Sequence, residues 1–174
     1  MSDTATAAPV TLPTSPEAVI QRLADLGIEV QVHRHPPVFT VEESQALRGN
    51  MPGGHIKNLF LRNKKGDQMW LVVVEETRRM DLKALAPKIG GDKLSFGSPD
   101  RLMTYLGVLP GAVTPLALIN DKGHKVQPVL DRALLSMDPL HCHPLTNDMT
   151  LSIAPSGLLR FIEACGHKPI YLDL

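Results

Sequence analysis

Apolar residues recur at helical spacing in three stretches that also carry start and stop signals. Ser15-Pro16 reads as an N-cap with proline at the first helical position, Val19, Ile20, Leu23 and Leu26 follow, and Gly27 is the stop. Ser98-Pro99 repeats that signal and predicts a helix to Leu106, closed by Gly107. Pro155 to Cys165 reads as an amphipathic helix that Gly166 ends. Elsewhere the period drops to two. Ile28, Val30 and Val32 alternate with polar residues, as in a half-buried strand ended by His33-Arg34-His35-Pro36-Pro37. His55–Arg62 and Gln68–Glu75 read as two strands of a hairpin, joined by Lys64-Lys65-Gly66-Asp67. Leu71-Val72-Val73-Val74 is apolar on both faces and predicts a central strand.

Weaker signals fill the gaps. Thr40-Val41-Glu42-Glu43 has capping-box spacing and predicts a short helix to about Arg48, followed by a loop from Gly49 to Gly54. Asp81 caps a predicted helix over Leu82–Ala86 that Pro87 breaks, and a short strand is expected near Leu94–Phe96. Val108-Leu109-Pro110-Gly111 leads into the apolar run Leu116–Ile119, and Asp121-Lys122-Gly123 looks like a second hairpin turn into Lys125–Leu130. Pro139 to Asn147 reads as loop, Met149–Ile153 and Pro169–Leu172 as strands. Hairpins interleaved with helices predict an α/β chain of the α+β type with a mixed sheet, not a doubly wound one. The chain has no internal repeat, P-loop, GxGxxG fingerprint or GxSxG elbow.

Composition narrows the class. The length, 174 residues, suits one domain, expected over 14–174, with an Ala/Thr/Pro-rich disordered tail over 1–13. Aromatics are only 4%, so Leu, Val, Ile and Ala must build the core. No apolar run reaches the ~18 residues of a membrane span, and the N-terminus lacks the pattern of a secretory signal. Two cysteines, Cys142 and Cys165, make no disulfide framework, and a cytoplasmic setting is expected. Zero formal net charge excludes a broad nucleic-acid-coating surface. From Lys57 to Lys93, however, nine Lys/Arg face five Asp/Glu, enough for a few phosphates.

Three places could carry chemistry. Lys57-Asn58 stands where a Pro/Gly loop becomes a core strand. A cation there is either a solvated strand-end charge or a rigidly held group over a cleft. Gly111-Ala112-Val113-Thr114-Pro115 is either an ordinary loop or one that aims backbone groups at a ligand, since glycine permits close approach and proline fixes the far side. His141-Cys142-His143 has metal-ligating atoms, which His33 and His35 could supplement, but not the spacing of a zinc site. No metal or cofactor is expected. Neither cysteine has a sequence neighbour that would make it a thiolate.

Taken together, these segments resemble the YbaK/prolyl-tRNA-synthetase-associated editing domains. The residues that carry the likeness are Lys57-Asn58, Gly111–Pro115 and His143-Pro144-Leu145 with Asn147 and Thr150. Pro36–Glu43, Leu94–Ser98 and Leu109–Pro115 are similar to the free-standing branch that deacylates alanyl-tRNA(Pro), called ProX, PrdX or ProXp-ala. The resemblance implies a mostly antiparallel central sheet flanked by helices and trans-editing hydrolysis of alanine from the acceptor end of tRNA(Pro). It implies Lys57, Asn58 and Gly111 as catalytic residues. It places Phe39, Thr40, Ala112, Val113, Thr114, Pro115, His143, Asn147 and Thr150 against the substrate. It implies water attack assisted by the vicinal ribose hydroxyl, exclusion of proline by size, and a transient complex with prolyl-tRNA synthetase. His141-Cys142 stands where a more apolar or aromatic neighbour is expected. The alternatives are a cysteinyl-tRNA(Pro) deacylase and a non-catalytic aminoacyl-tRNA or synthetase binder.

Overall fold

A computed structural model describes residues 11–37, 40, 42, 43, 46 and 51–174. Helix α1 (Pro16–Asp25) begins as the Ser-Pro signal requires, with the Ser15 hydroxyl accepting the Ala18 N–H at 3.0 Å. Its apolar stripe puts Val19 and Leu23 fully into the core. Leu12 also packs against that core, and the Thr14 hydroxyl donates to Asn120 at 2.5 Å, so the chain is held from there. After Gly27 comes β1 (Val30–Arg34). Thr40 then makes the N-cap bond of the expected capping box. Its hydroxyl accepts the Glu43 N–H at 3.0 Å and lies 3.1 Å from the Glu43 carboxylate. The remainder of that helix includes residues outside those described.

Strands β2 (Gly54–Arg62) and β3 (Met69–Glu75) form the predicted hairpin, in unbroken register from Ile56↔Glu75 to Arg62↔Met69. Asn63 builds the turn, its carbonyl oxygen accepting from Gly66 N–H at 2.8 Å and Gln68 N–H at 3.2 Å. The later elements are α2 (Leu82–Leu85), β4 (Ser95–Phe96), α3 (Pro99–Leu106), β5 (Val126–Asp131), β6 (Leu140–Cys142), β7 (Met149–Ile153), α4 (Pro155–Ala164) and β8 (Ile170–Leu172). The sheet runs β1-β7-β6-β2-β3-β5-β8, with β4 on the side of β2 away from β3. Pairings of β1 with β7, β6 with β7, and β2 with β3 and β4 are antiparallel; β6 with β2, and β5 with β3 and β8, are parallel. This is the mixed, mostly antiparallel sheet expected.

Two segments differ from the sequence pattern. Leu116–Ile119 lies within a 3-10 helix, Pro115–Asn120, and forms no hairpin with β5. Thr114 caps that helix and Pro115 supplies its first residue. Asp121 then turns the chain, its carboxylate accepting the Lys125 and Val126 N–H groups at 2.9 and 2.7 Å, which starts β5 parallel to β3. Pro139–Asn147, expected as loop, contains β6, which pairs with β2 at Gly54 and His55. A Cβ at Gly54 would lie 2.8 Å from the Leu140 side chain, so the glycine lets β6 approach.

The sheet has apolar residues on both faces. On one, Phe60, Leu71, Val73, Leu140 and Leu151 meet α1, α3, α4 and the 3-10 helix. On the other, Leu61, Trp70, Val72 and Val74 meet α2, Ile89 and Leu94. No described helix is long and apolar enough to cross a membrane.

Candidate active site

The unbroken β2–β3 register fixes how Lys57 and Asn58 point. Consecutive strand residues face opposite sides of a sheet. Asn58 therefore faces α3 and the 3-10 helix, whereas Lys57, partly buried, shares its face with His55 and Leu59. The Glu76 N–H binds the His55 carbonyl at 2.8 Å and the Gly97 N–H binds the Phe60 carbonyl at 2.9 Å. Backbone groups of Ile56 and Asn58 thus point to the edge away from β3. β6 covers that edge only at residues 54 and 55, and β4 only at 61 and 62. The described strands leave 56–59 open, and a ligand lying across this edge can meet side chains from both faces.

The loop Gly111–Pro115 comes to the same place. The Asn58 side-chain amide donates to the Val113 carbonyl at 3.0 Å. Its Oδ1 is buried without a hydrogen-bond partner among the described residues. A buried unsatisfied carbonyl costs about 1–3 kcal/mol, and such atoms concentrate where a ligand completes the pairing. Gly111 has φ 89°, a left-handed conformation suited to glycine, and is exposed; Ala112, Thr114 and Pro115 are buried. The Thr114 hydroxyl reaches the Cys142 sulfur and accepts the Leu116 N–H at 3.3 Å.

Cys142 connects this half of the site to the next. Burial pushes its thiol up to about 12, against a small opposing pull from the Thr114 hydroxyl. The sulfur is a protonated packing group, so Cys142→Ala is expected to keep kcat within about 3-fold. Alkylation of native protein at pH 8 should leave activity unchanged, as a deacylation assay before and after iodoacetamide would read.

His143 follows. Its Nδ1–H donates to the Met149 carbonyl at 2.8 Å, which leaves Nε2 as an acceptor. Burial, aided by nearby His35, holds its pKa below the ordinary value, although the Met149 carbonyl pulls upward. The ring is therefore neutral near pH 7. His35 donates from Nδ1 to the Pro36 carbonyl at 2.8 Å, so its Nε2 accepts from the Thr150 hydroxyl at 2.8 Å, with its ring 6.3 Å from that of His143. Leu145, buried at 1%, has φ 70° in the turn between His143 and the partly buried Asn147. That conformation costs a non-glycine residue about 1–2 kcal/mol.

The structure ties Asn58 to Val113 and Thr114 to Cys142, and sets His143 beside His35, which binds Thr150. Lys57 lies on the opposite face of β2 from Asn58. Thr40 is exposed and engaged with Glu43, and Phe39 lies outside the described residues. Sequence reading missed Cys142 as the link and His35 as the partner of Thr150. The alternation of His33, His35 and of His141, His143 was the available signal. Among the described residues no group of three His, Cys, Asp or Glu side chains is arranged to hold a metal ion.

A cavity of about 740 Å³ lies elsewhere, lined in part by His33, Met51, Pro52, Asp138, His141 and Ser152. Of the residues singled out in the sequence, His33 and His141 line it, whereas Lys57, Asn58, the Gly111–Pro115 loop and His143 do not. Its wall is a closed chain: His33 Nε2 to the Ser152 hydroxyl at 2.9 Å, that hydroxyl to His141 Nδ1 at 2.9 Å, and His141 Nε2 to the Pro52 carbonyl at 2.8 Å. These polar atoms satisfy one another and tie β1, β7 and β6 to the loop before β2.

The chain is an α/β protein with a mixed sheet flanked by helices, its Gly111–Pro115 loop tied to β2 through Asn58. The sequence matches the aminoacyl-tRNA editing domain over residues 35–161, and the chain belongs to that family. It is an aminoacyl-tRNA deacylase. It is 38% identical over 151 residues to the prolyl-tRNA editing protein ProX of Acetoanaerobium sticklandii, covering 87% of this chain and 92% of that protein. Prolyl-tRNA synthetase associated domain-containing protein 1 of Bos taurus is 41% identical over 160 residues, 90% of this chain and 93% of its own. A crystal structure of a candidate trans-editing enzyme for prolyl tRNA synthetase superposes with a TM-score of 0.69 at 22% identity, covering 97% of this chain and 99% of its own, and shares the fold.

Proposed function

We propose that the protein clears alanine from mischarged tRNA(Pro). The observation that carries this reading is the bond from Asn58 Nδ2 to the Val113 carbonyl, which holds the Gly111–Pro115 loop against the Lys57-Asn58 strand. The names of its relatives, a prolyl-tRNA editing protein and a prolyl-tRNA synthetase associated protein, point to the same tRNA.

The chemistry asks little of the protein. An aminoacyl ester is already activated, so placing ester and water correctly supplies much of the barrier reduction. In this reading the terminal adenosine lies across the open edge of β2. Lys57 holds its phosphate or ribose, and backbone groups around the exposed Gly111 face the ester. The unpartnered Asn58 Oδ1 accepts a donor of the substrate, either the α-ammonium group or a hydroxyl. Water attacks the ester carbon, the ribose oxygen leaves with the proton, and the vicinal hydroxyl assists. Neutral His143 is part of the pocket wall, adding no charge beside the α-ammonium group. Alanine fits this small pocket and proline does not. A synthetase pocket built for proline cannot reject the smaller residue well, because a methylene is worth only about 1–3 kcal/mol.

The same reading makes 14–174 one folded unit that works in the cytoplasm and meets prolyl-tRNA synthetase transiently. Purified protein given alanyl-, cysteinyl- and prolyl-tRNA(Pro) in parallel is expected to release alanine fastest, by at least about 100-fold over proline. Preferential release of cysteine would reassign the substrate. No release of alanine, under conditions where an established deacylase acts, would sink the proposal.

A further inference from the structure

Phe96 is 62% exposed, the highest value among the large apolar side chains that stand out of the described surface. The chain has only four Phe, two Tyr and one Trp, and this ring offers an aromatic face on which a base can stack. Its backbone is rigidly presented. Phe96 pairs with Leu61 across β4 and β2, the next residue donates its N–H to Phe60 at 2.9 Å, and Ser98 caps α3 two residues on.

Cations gather beside it. The Lys64 N–H binds the Asp92 carboxylate at 3.1 Å, which brings the Lys64-Lys65 turn against Lys93. That bond holds the Asp92 carboxyl below its usual range, and Asp67 is engaged by Asn63 at 2.7 Å. Exposed lysines around an exposed ring are the elements of a single-strand nucleic-acid platform: the ring stacks a base, the cations meet phosphates.

We infer that Phe96 stacks an unpaired nucleotide of the tRNA 3′ strand, with Lys64 and Lys93 at its phosphates. The inference rests on the reading that Lys57 holds the terminal nucleotide. Leu61, opposite Phe96, is four residues along the strand from Lys57 and on the same face, about 13 Å away. Phe96 therefore lies within reach of the unpaired nucleotides that precede the one Lys57 holds.

Phe96→Ala and Phe96→Trp are compared with the parent protein on alanyl-tRNA(Pro) and on alanyl-adenosine. Phe96→Ala is expected to raise KM for the tRNA about 10-fold at unchanged kcat, within the range of one lost stack. Phe96→Trp restores it, and alanyl-adenosine is hydrolysed equally by all three. In parallel, an uncharged acceptor-stem RNA with its unpaired 3′ nucleotides is titrated by fluorescence anisotropy, and Phe96→Ala weakens its Kd by a similar factor. If Phe96→Ala leaves both KM and Kd unchanged, the inference is overturned. The same holds if the variant loses only binding to prolyl-tRNA synthetase, which would make the ring a protein-docking residue. A parent protein that binds the RNA through Phe96 but deacylates nothing would overturn the proposed function and leave this inference standing.

Discussion

An Asn58→Ala variant should lose about 100-fold or more in kcat for deacylation, in the range seen when a group that positions the reacting centre is removed. The side chain has two ends with different duties. Nδ2 holds the Val113 carbonyl at 3.0 Å, and Oδ1 is buried without a described partner. Alanine removes both, so the loop loses its tether to β2 and the substrate loses an acceptor. The fold should tolerate the change. The lost bond costs about 1–3 kcal/mol, a fall in Tm of a few degrees for a chain of this size. Asn58→Asp separates the two duties. It keeps an oxygen for the substrate but turns a carboxylate toward the Val113 carbonyl, acceptor against acceptor. If loop placement dominates, Asp is as damaging as Ala; if the free oxygen dominates, Asp retains most activity. Single-turnover release of alanine from alanyl-tRNA(Pro) measures all three proteins. An alanine variant within about 3-fold of the parent would remove Asn58 from the reaction.

The sequence made most of the scaffold legible because its local signals agree with its packing. Ser15, Ser98 and Asp81 cap the helices they were expected to cap. The Lys64–Asp67 turn closes the β2–β3 hairpin because Asn63 satisfies its backbone within the turn. What escaped was decided by distant residues. β6 is three residues long, and it is a strand because it pairs with β7 along its whole length and with β2 at Gly54 and His55. Leu116–Ile119 has the composition of a strand, but Thr114 and Pro115 start a 3-10 helix ahead of it. Within the site, the Asn58–Val113 bond spans 55 residues of chain, so no local pattern announces it. The role of Cys142 depends on complete burial beside Thr114. The opposite facing of Lys57 and Asn58 follows from simple strand alternation, and it changes how the two residues are tested.

Lys57→Ala should lower kcat/KM by about 100-fold or more, for a reason unlike that of Asn58. A lysine contact to phosphate is charge-assisted and acts on the bound substrate before and during reaction. The loss should therefore appear mainly in KM and should shrink as salt is raised, because the parent loses the same attraction to screening. Lys57→Arg keeps the charge on a longer, planar group and should recover part of the loss. Stability is expected to change little, since the Lys57 side chain is only partly buried and is not among the core residues. The two substitutions also predict each other. Lys57 and Asn58 project to opposite faces, so if each acts on its own part of the substrate their effects on log(kcat/KM) should add. A double variant no worse than the poorer single one would mean that both residues hold one shared element, and the anchor-and-loop division would be wrong. Full activity of Lys57→Ala at low salt would leave the lysine as an ordinary solvated charge, with the open edge of β2 and the Asn58–Val113 contact alone to place the ester.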